Sequence, residues 1–215
     1  MQRFGRGYAN IVLSRLKHRY SSELHTQLKH RNKTELFVAV LLSPQCTDTQ
    51  TNKATKTLFK HFHSFSDYAK ASVGELEKYL KGINYYKTKA RHLKESAEQI
   101  CSLYNGKVPK TMKELLLLQG VGRKVANVIL SEAYGINEGI AVDTHVKTVS
   151  YRVGLTKSRK PDKIEEDLMR RFNRKDWGSV SNALIALGRD TCKAAKKECD
   201  RCVLNDICPS STVTQ

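Results

Sequence analysis

The chain has few residues that break secondary structure and no long apolar run. Its 215 residues include only four prolines and twelve glycines, and no stretch rich in Pro, Gly or Ser suggests a flexible linker or a disordered segment. No apolar run approaches the roughly 18 residues of a membrane-spanning helix, and residues 1–19 lack the charged-then-apolar pattern of a secretory signal. We therefore expect a globular protein with no membrane partner. We also expect the protein to reside inside the cell, in the cytoplasm or nucleoid, or in a nucleus.

Acidic residues are scarce relative to basic ones. The chain has 38 Lys and Arg against 21 Asp and Glu, a formal net charge of +17 and a pI near 9.7. This excess is larger than solubility requires and favours a polyanionic partner, with nucleic acid as the first candidate. A solvated lysine-rich surface is the alternative that charge alone leaves open.

The sequence also lacks the strict alternation of apolar and polar residues that is typical of β-strands. Apolar residues recur at helical spacing almost throughout, as in Leu36, Val40 and Leu41. Ser72 with Glu75, and Thr111 with Glu114, have the spacing of capping boxes, in which a hydroxyl and a carboxylate reciprocally satisfy backbone donors at a helix start. These patterns predict an all-α fold, with helices at residues 8–19, 33–43, 48–62, 72–81, 85–105, 111–117, 122–134, 143–154, 161–172 and 177–190.

Cysteine is concentrated at one end of the chain. Cys46 and Cys101 stand apart in apolar or mixed segments, and we expect them to be buried core thiols. The other four lie within the last 24 residues, separated by six, two and five residues, so one small loop can direct every thiolate at a single metal centre. The spacing fits a [4Fe-4S] cluster or a structural zinc ion. The four candidate ligands are Cys192, Cys199, Cys202 and Cys208.

A glycine-containing hairpin, Gly-Val-Gly-Arg-Lys at residues 120–124, leads into a predicted helix. Its two glycines, Gly120 and Gly122, permit backbone turns that a side chain would forbid. The N–H groups of the helix start, together with the helix dipole, form a seat for a DNA phosphate that Arg123 can reinforce. The alternative is an ordinary corner between two helices, with glycine for tight packing.

Lys124 and Asp143 are the candidate catalytic pair. The helix dipole and basic neighbours disfavour the ammonium form of Lys124 and so favour a nucleophilic amine, whereas the alternative is a lysine that binds phosphate. Asp143 ends an apolar approach at a predicted helix start, where it can serve as an N-cap. A carboxylate facing Lys124 would also stabilise positive charge on a sugar and exchange protons with the amine.

Taken together, residues 120–124, the segment Val142-Asp143-Thr144-His145 and the cysteine quartet resemble the endonuclease III family of helix-hairpin-helix DNA glycosylases. Residues 41–48 resemble the family's L-L-S-x-Q-x-T-D segment, and Asn52-Lys53-Ala54 extends a likeness that spans nearly the whole chain. The resemblance implies two helical lobes with the active site in the cleft between them. One lobe is a helical barrel with the helix-hairpin-helix, residues 26–136, and the other is an iron-sulfur cluster lobe, residues 1–25 and 137–215.

The resemblance also implies a chemistry. The family repairs oxidised pyrimidines in duplex DNA after flipping the damaged nucleotide out of the stack. Lys124 matches the amine that displaces the base, holds the sugar as a Schiff base and permits β-elimination on the 3′ side of the lesion, and Asp143 matches the acid that assists. The implied protein is a monomer that acts on damaged or abasic double-stranded DNA and carries a [4Fe-4S] cluster on the four cysteines.

Several residues correspond to DNA contacts of the family. Gln45 resembles the side chain that fills the hole left by the flipped nucleotide, the alternative being a buried amide with a backbone partner. Tyr85 aligns with the side chain wedged into the duplex, although Asn84 replaces the family's usual glycine, just as Gln119 replaces the usual proline of the hairpin. Further predicted DNA contacts are Gly120, Gly122, Arg123, His145 and, between the first two cluster cysteines, Lys193, Lys196 and Lys197.

Two other functions compete with this prediction. The monofunctional, adenine-specific mispair glycosylase has a similar hairpin, aspartate and cysteine pattern, but it lacks a lysine at the position of Lys124. A non-catalytic DNA-binding module would use the hairpin and the cysteine loop as anchors, but the presence of both Lys124 and Asp143 argues against it. Strand cleavage without an added lyase distinguishes the bifunctional enzyme from both.

Overall fold

A computed structural model describes residues 5–213, and this part of the chain is helical. It contains eleven α-helices and three short 3-10 helices, and within these residues there is no β-strand, only an isolated bridge between Cys192 and Lys197. The predicted all-α fold is confirmed. In chain order the α-helices are α1 (Arg6–Arg19), α2 (Lys33–Leu42), α3 (Asp48–Leu58), α4 (Phe65–Lys70), α5 (Val73–Leu80), α6 (Tyr86–Tyr104), α7 (Met112–Leu115), α8 (Arg123–Tyr134), α9 (Thr144–Val153), α10 (Pro161–Arg171) and α11 (Trp177–Asp190).

The structure corrects the helix predicted over residues 48–62, because α3 ends at Leu58 and a separate short helix, α4, follows it. A full capping box starts α4: the Ser64 hydroxyl accepts from the N–H of Asp67, and the Asp67 carboxylate accepts from the N–H of Ser64 at 2.9 Å. Both halves of such a box satisfy backbone donors that the first turn leaves without helical partners. The sequence prediction overlooked this signal at Ser64.

At the two predicted capping boxes, the hydroxyl half is present. The N–H of Glu75 donates to Ser72 Oγ at 3.1 Å, and the N–H of Glu114 donates to Thr111 Oγ1 at 3.2 Å. The Thr111 hydroxyl in turn donates to Glu114 Oε2 at 2.7 Å. The Glu114 carboxylate therefore pairs with the hydroxyl rather than with the backbone donor that the motif predicts.

The described residues form two compact units, a central unit of residues 27–136 and a flanking unit of residues 5–26 and 137–213. The central unit is built on α2, whose residues from Leu36 to Leu42 are all buried and which contacts α3, α6 and α8. Phe37 of α2 meets Phe65 of α4 edge to face, with ring centroids 5.5 Å apart. Because α8 packs against this buried helix, the core determines the position of the N-terminus of α8.

The flanking unit has a core of its own, in which α11 packs against α9 and α1. Gly188 of α11 permits a close approach, since a Cβ at that position would lie 2.9 Å from Nδ1 of His145. Leu204 lies within the segment that carries the four clustered cysteines, residues 192–211, which we call the cysteine segment. It is fully buried in the same core and so anchors the segment to the helices. In residues 5–213 no helix is both long enough and apolar enough to cross a membrane.

Candidate active site and metal centre

The hairpin before α8 contains a tight turn in the central unit. The N–H of Val121 donates to the carbonyl of Leu118 at 3.2 Å, and Gly120 has a φ of +75°. A positive φ at the third of four turn residues is the geometry of a type II turn, which favours glycine there. A Cβ at Gly120 would also lie 2.7 Å from Nδ1 of His92 on α6. Gly120 is therefore required both by the backbone and by the close approach of α6.

Gly122 is different, and the prediction that both glycines are needed for the turn is wrong at this position. Gly122 is the N-cap of α8 with φ −89° and ψ 173°, an extended conformation that any residue adopts, and a Cβ there would meet nothing within 4 Å. Gly122 and Arg123 are both exposed. Gly122 thus places no side chain over the start of α8, which lies at the positive end of the helix dipole, where anions bind.

Lys124 is the second residue of α8, two positions after the Gly122 N-cap. Its side chain is half-buried, while the next two residues, Val125 and Ala126, are buried in the core of the central unit. The helix therefore holds the backbone of Lys124 rigidly beside the candidate phosphate seat. A lysine in this place can deliver its amine close to a DNA backbone bound at the helix start.

Asp143 is the N-cap of α9 in the flanking unit. Its Oδ1 accepts a hydrogen bond from the N–H of Val146 at 2.8 Å, so the N-cap role left open by the sequence is confirmed. The bond fixes the direction of a half-buried carboxylate. His145, two residues later, packs its ring against Gly188, which gives it a structural role in the contact between α9 and α11, and its contact with DNA stays a prediction.

Gln45 and Tyr85 both have left-handed backbone conformations, with φ of 58° and 57°, which are strained for residues other than glycine. Both side chains are exposed, Tyr85 to 65%. The alternative of a buried Gln45 amide is therefore wrong. It is the backbone carbonyl of Gln45 that is held, by a hydrogen bond from Nδ2 of Asn84 at 2.6 Å.

Lys89 of α6 makes contacts with both chain neighbours of Gln45. The ammonium of this largely buried lysine donates to the Pro44 carbonyl at 2.7 Å and contacts the Cys46 thiol at 3.1 Å. The N–H of Asn84 also reaches the Cys46 thiol, at 3.3 Å. Cys46 is thus half-buried against the core rather than fully buried as expected, and the same is true of Cys101.

The four clustered cysteines surround one space in the flanking unit. Cys192, Cys199, Cys202 and Cys208 all line one small, partly open pocket. Burial raises the pKa of the Cys202 and Cys208 thiols, and the nearness of the other three cysteines raises the pKa of Cys208 further. Among residues 5–213 no group of three or more His, Cys, Asp or Glu side chains is arranged to hold a metal ion as it stands. Four thiols around one pocket are the donor set of an iron-sulfur cluster or a zinc ion.

Arg152 of α9 supports the start of the cysteine segment, a role that no sequence motif indicated. Its guanidinium donates to three successive backbone carbonyls, those of Cys192 at 3.2 Å, Lys193 at 2.8 Å and Ala194 at 2.9 Å. Arginine suits this role because its donors form a rigid planar fork. The only sequence signal is a basic residue in the last turn of α9, which is too common to single out.

The three lysines predicted to await DNA phosphates in the cysteine segment are not equivalent. The ammonium of Lys193 pairs with Glu198 at 3.0 Å, and that of Lys197 donates to the Ser210 carbonyl at 2.8 Å. Lys196 is exposed. The prediction of three charges ready for phosphate is therefore corrected: two of the three already stabilise the segment itself.

Comparison with known proteins agrees with this arrangement. A family profile described as HhH-GPD superfamily base excision DNA repair protein matches residues 38–174. The chain is 41% identical to endonuclease III of Synechocystis sp. over 82% of this chain and 81% of that protein, and 42% identical to endonuclease III of Bacillus subtilis over 81% and 80%. It matches the structure of a trapped endonuclease III–DNA covalent intermediate with a TM-score of 0.90 and 37% identity, covering 95% of this chain and 96% of that one. The chain belongs to the endonuclease III family within the HhH-GPD superfamily of base excision DNA repair proteins.

Proposed function

We propose that this chain is a bifunctional DNA glycosylase and AP lyase that removes oxidised pyrimidines from double-stranded DNA and cuts the strand 3′ to the abasic site. The observation that carries the proposal is the position of Lys124, a half-buried lysine that is the second residue of α8, two positions after the Gly122 N-cap. A nucleophile is thereby placed beside a seat for the DNA backbone. A similar protein has been captured as a covalent intermediate with DNA, which is the species that an amine nucleophile forms.

DNA binding comes first in this scheme. The net charge of +17 attracts the duplex at long range, and the N–H groups at the start of α8 bind a phosphate at short range, with Arg123 beside them. The damaged nucleotide leaves the stack, because its C1′ carbon is out of reach inside the duplex. Gln45 fills the resulting hole and Tyr85 is wedged into the duplex, and both side chains are exposed as these roles require.

Lys124 then carries the covalent chemistry. Its neutral amine attacks C1′ of the flipped nucleotide, and the bond from C1′ to the base breaks, with the electron pair leaving on the base. The amine then loses a proton, and the C1′–O4′ bond breaks with its electron pair leaving on O4′, which takes up a proton. A Schiff base between Nζ and C1′ results. Removal of a C2′ proton then expels the 3′ phosphate by β-elimination. Asp143 assists by stabilising the positive charge on the sugar and by exchanging protons with the amine.

The four cysteines of the flanking unit would hold a [4Fe-4S] cluster, which fits their arrangement around one pocket. A bound cluster supplies four iron–thiolate bonds that cross-link a segment of few regular elements. In this proposal the cluster takes no part in base removal, and the protein groups around it, Arg152 and Leu204 above all, position the segment and its exposed Lys196. A protein with this activity works where genomic DNA is, inside the cell.

The proposal is tested with a duplex that carries one thymine glycol and no added lyase. The wild-type protein is expected to release the base and to nick the strand, whereas Lys124→Gln is expected to bind the duplex without nicking it. Base release without a nick would make the protein a monofunctional glycosylase. Binding with neither product would make it a DNA-binding module, and either result would overturn the proposal.

A further inference from the structure

One glutamine side chain on α6 makes two hydrogen bonds to the backbone at the start of the hairpin turn. Nε2 of Gln99 donates to the carbonyl of Leu117 at 3.2 Å, and Oε1 of Gln99 accepts from the N–H of Gln119 at 3.0 Å. The two ends of a single amide thus meet one acceptor and one donor that are two residues apart. Such a two-point contact restricts the backbone of the hairpin more than either bond would alone.

Gln119 occupies the turn position at which a proline would restrict the backbone. It is the second residue of the type II turn from Leu118 to Val121, the position where proline is favoured because its ring fixes φ near the required value. Glutamine leaves φ free, so the turn loses that restriction. Glutamine also brings an N–H that proline does not have, and the N–H of this position is the group that Gln99 binds.

A second side chain on the same face of α6 also restrains the backbone of Gln119. Ser96 lies three residues before Gln99, and so on the same side of the helix, and its hydroxyl donates to the Gln119 carbonyl at 2.6 Å. Ser96 is fully buried. Gln119 is therefore held through both its N–H and its carbonyl, immediately before Gly120 and three residues before the Gly122 N-cap of α8.

We propose that Gln99 is a positioning residue for DNA binding: it holds the turn in its phosphate-binding shape and thereby replaces the ring that a proline at position 119 would supply. The proposal rests on the proposed function, since it assigns the hairpin to DNA phosphate. Donors held in the bound geometry beforehand bind without the entropy loss of ordering them. The effect of Gln99 is thus on affinity for DNA, and the covalent step at Lys124 does not depend on it.

The position of Gln99 makes this role separable from folding. Gln99 and Gln119 both line a solvent-open groove of about 690 Å³, and Gln99 is only half-buried while Gln119 is exposed. Neither side chain contributes to the hydrophobic core. Removal of the amide therefore releases the turn without leaving a cavity in the central unit.

The test compares four proteins: wild type, Gln99→Leu, Gln119→Pro and the double variant. Their affinities are measured for a duplex that carries a tetrahydrofuran abasic analogue, which the lyase chemistry does not cleave. Gln99→Leu is expected to bind about three- to tenfold more weakly, the fold-change that corresponds to one net hydrogen bond. Gln119→Pro is expected to bind within about twofold of wild type, and the double variant is expected to match Gln119→Pro, because the proline removes both the freedom and the donor that Gln99 restrains.

Three further measurements separate this role from a general structural one. The single-turnover rate of base release at saturating protein and the melting temperature are expected to stay close to wild type in Gln99→Leu. Ser102→Ala, which changes another polar side chain of the same groove, is the matched control and is expected to bind DNA as wild type does. Gln99→Leu with wild-type affinity, or a double variant as weak as Gln99→Leu, would overturn the inference. A wild-type protein that neither binds nor cleaves damaged duplex would instead overturn the proposed function.

Discussion

Asn84 ties together the two exposed residues that are proposed to enter the duplex. Its Nδ2 donates to the backbone carbonyl of Gln45 at 2.6 Å, and its own chain neighbour is Tyr85. Gln45 and Tyr85 are two of the three residues other than glycine that have a positive φ among residues 5–213. Strain of this kind persists only where surrounding contacts enforce it. Asn84, which stands where the family usually has glycine, supplies one such contact.

Loss of this tie is expected to slow excision more than it harms the fold. Asn84→Ala removes one exposed hydrogen bond and should lower the free energy of unfolding by about 1 kcal/mol. The apparent kcat/KM for thymine glycol excision should fall about three- to tenfold, because the Gln45 backbone becomes free to leave its strained conformation. Asn84→Asp, which keeps the size but cannot donate, should behave in the same way. Wild-type excision by both variants would show that the bond has no role in the reaction.

The two hairpin glycines are expected to respond in opposite ways to alanine. Gly120→Ala places a Cβ at a φ of +75° and 2.7 Å from the His92 ring, so it should lower the free energy of unfolding by about 1–3 kcal/mol. Gly122→Ala meets open space in an extended conformation, so its stability should stay within about 0.5 kcal/mol of wild type.

The affinity for damaged duplex gives a second comparison between the two glycine variants. Gly122→Ala should weaken binding to damaged duplex despite its normal stability, because the new methyl group covers the N–H groups at the start of α8. Denaturant unfolding and equilibrium binding of the two variants measure both effects. A fully folded Gly120→Ala, or a Gly122→Ala with undiminished affinity, would contradict the assigned roles.

Arg152 is expected to determine how firmly the cysteine segment holds the proposed cluster. Arg152→Ala removes a charged donor from three backbone carbonyls and should destabilise the segment by about 2 kcal/mol or more. Iron content and visible absorbance should therefore fall faster than in wild type during incubation with a chelator. Arg159→Ala, which removes an arginine stacked on Tyr151 in the same unit, is the control and should keep its iron. Equal retention by the two variants would remove Arg152 from this role.

Among the lysines of the cysteine segment, Lys196 should contribute most directly to DNA affinity. Lys196→Ala should weaken binding to all sequences and flatten the plot of log affinity against log salt by about 0.9, the slope of one phosphate contact. Lys197→Ala should act mainly through the segment, because its ammonium holds the Ser210 carbonyl. A salt slope that is unchanged in Lys196→Ala, and also in the triple variant with Lys193 and Lys197, would exclude the segment from the DNA interface.

The features that the sequence predicted well are those set by neighbouring residues. Helical spacing placed most helices, and a carboxylate before Thr144 predicted the N-cap of α9 because capping joins residues three apart. The clustered cysteines line one pocket, as their short spacing predicted, because a single small segment carries all four. The break between α3 and α4 was equally local, in the capping box at Ser64, and was overlooked.

The features that sequence reasoning missed are long-range contacts of polar side chains. Arg152 reaches carbonyls about 40 residues away in the chain, and Gln99 reaches a hairpin about 20 residues away. A single arginine or glutamine on a helix gives no periodic signal, because its partners are backbone groups that every residue possesses. Gly122 shows the opposite error, since a glycine in a turn motif was given a conformational role that its extended backbone does not need.

Borohydride trapping on a duplex with one thymine glycol tests the central role of Lys124 most directly. Reduction of a Schiff base leaves a stable covalent bond between the protein and the DNA. Wild type is expected to give the covalent product, with Lys124 in the modified peptide. A control in which the exposed Lys107 is replaced by alanine is expected to give the same product. Lys124→Ala is expected to bind the duplex but to give no covalent product. A covalent product from Lys124→Ala, or a modified peptide that lacks Lys124 in wild type, would contradict the account.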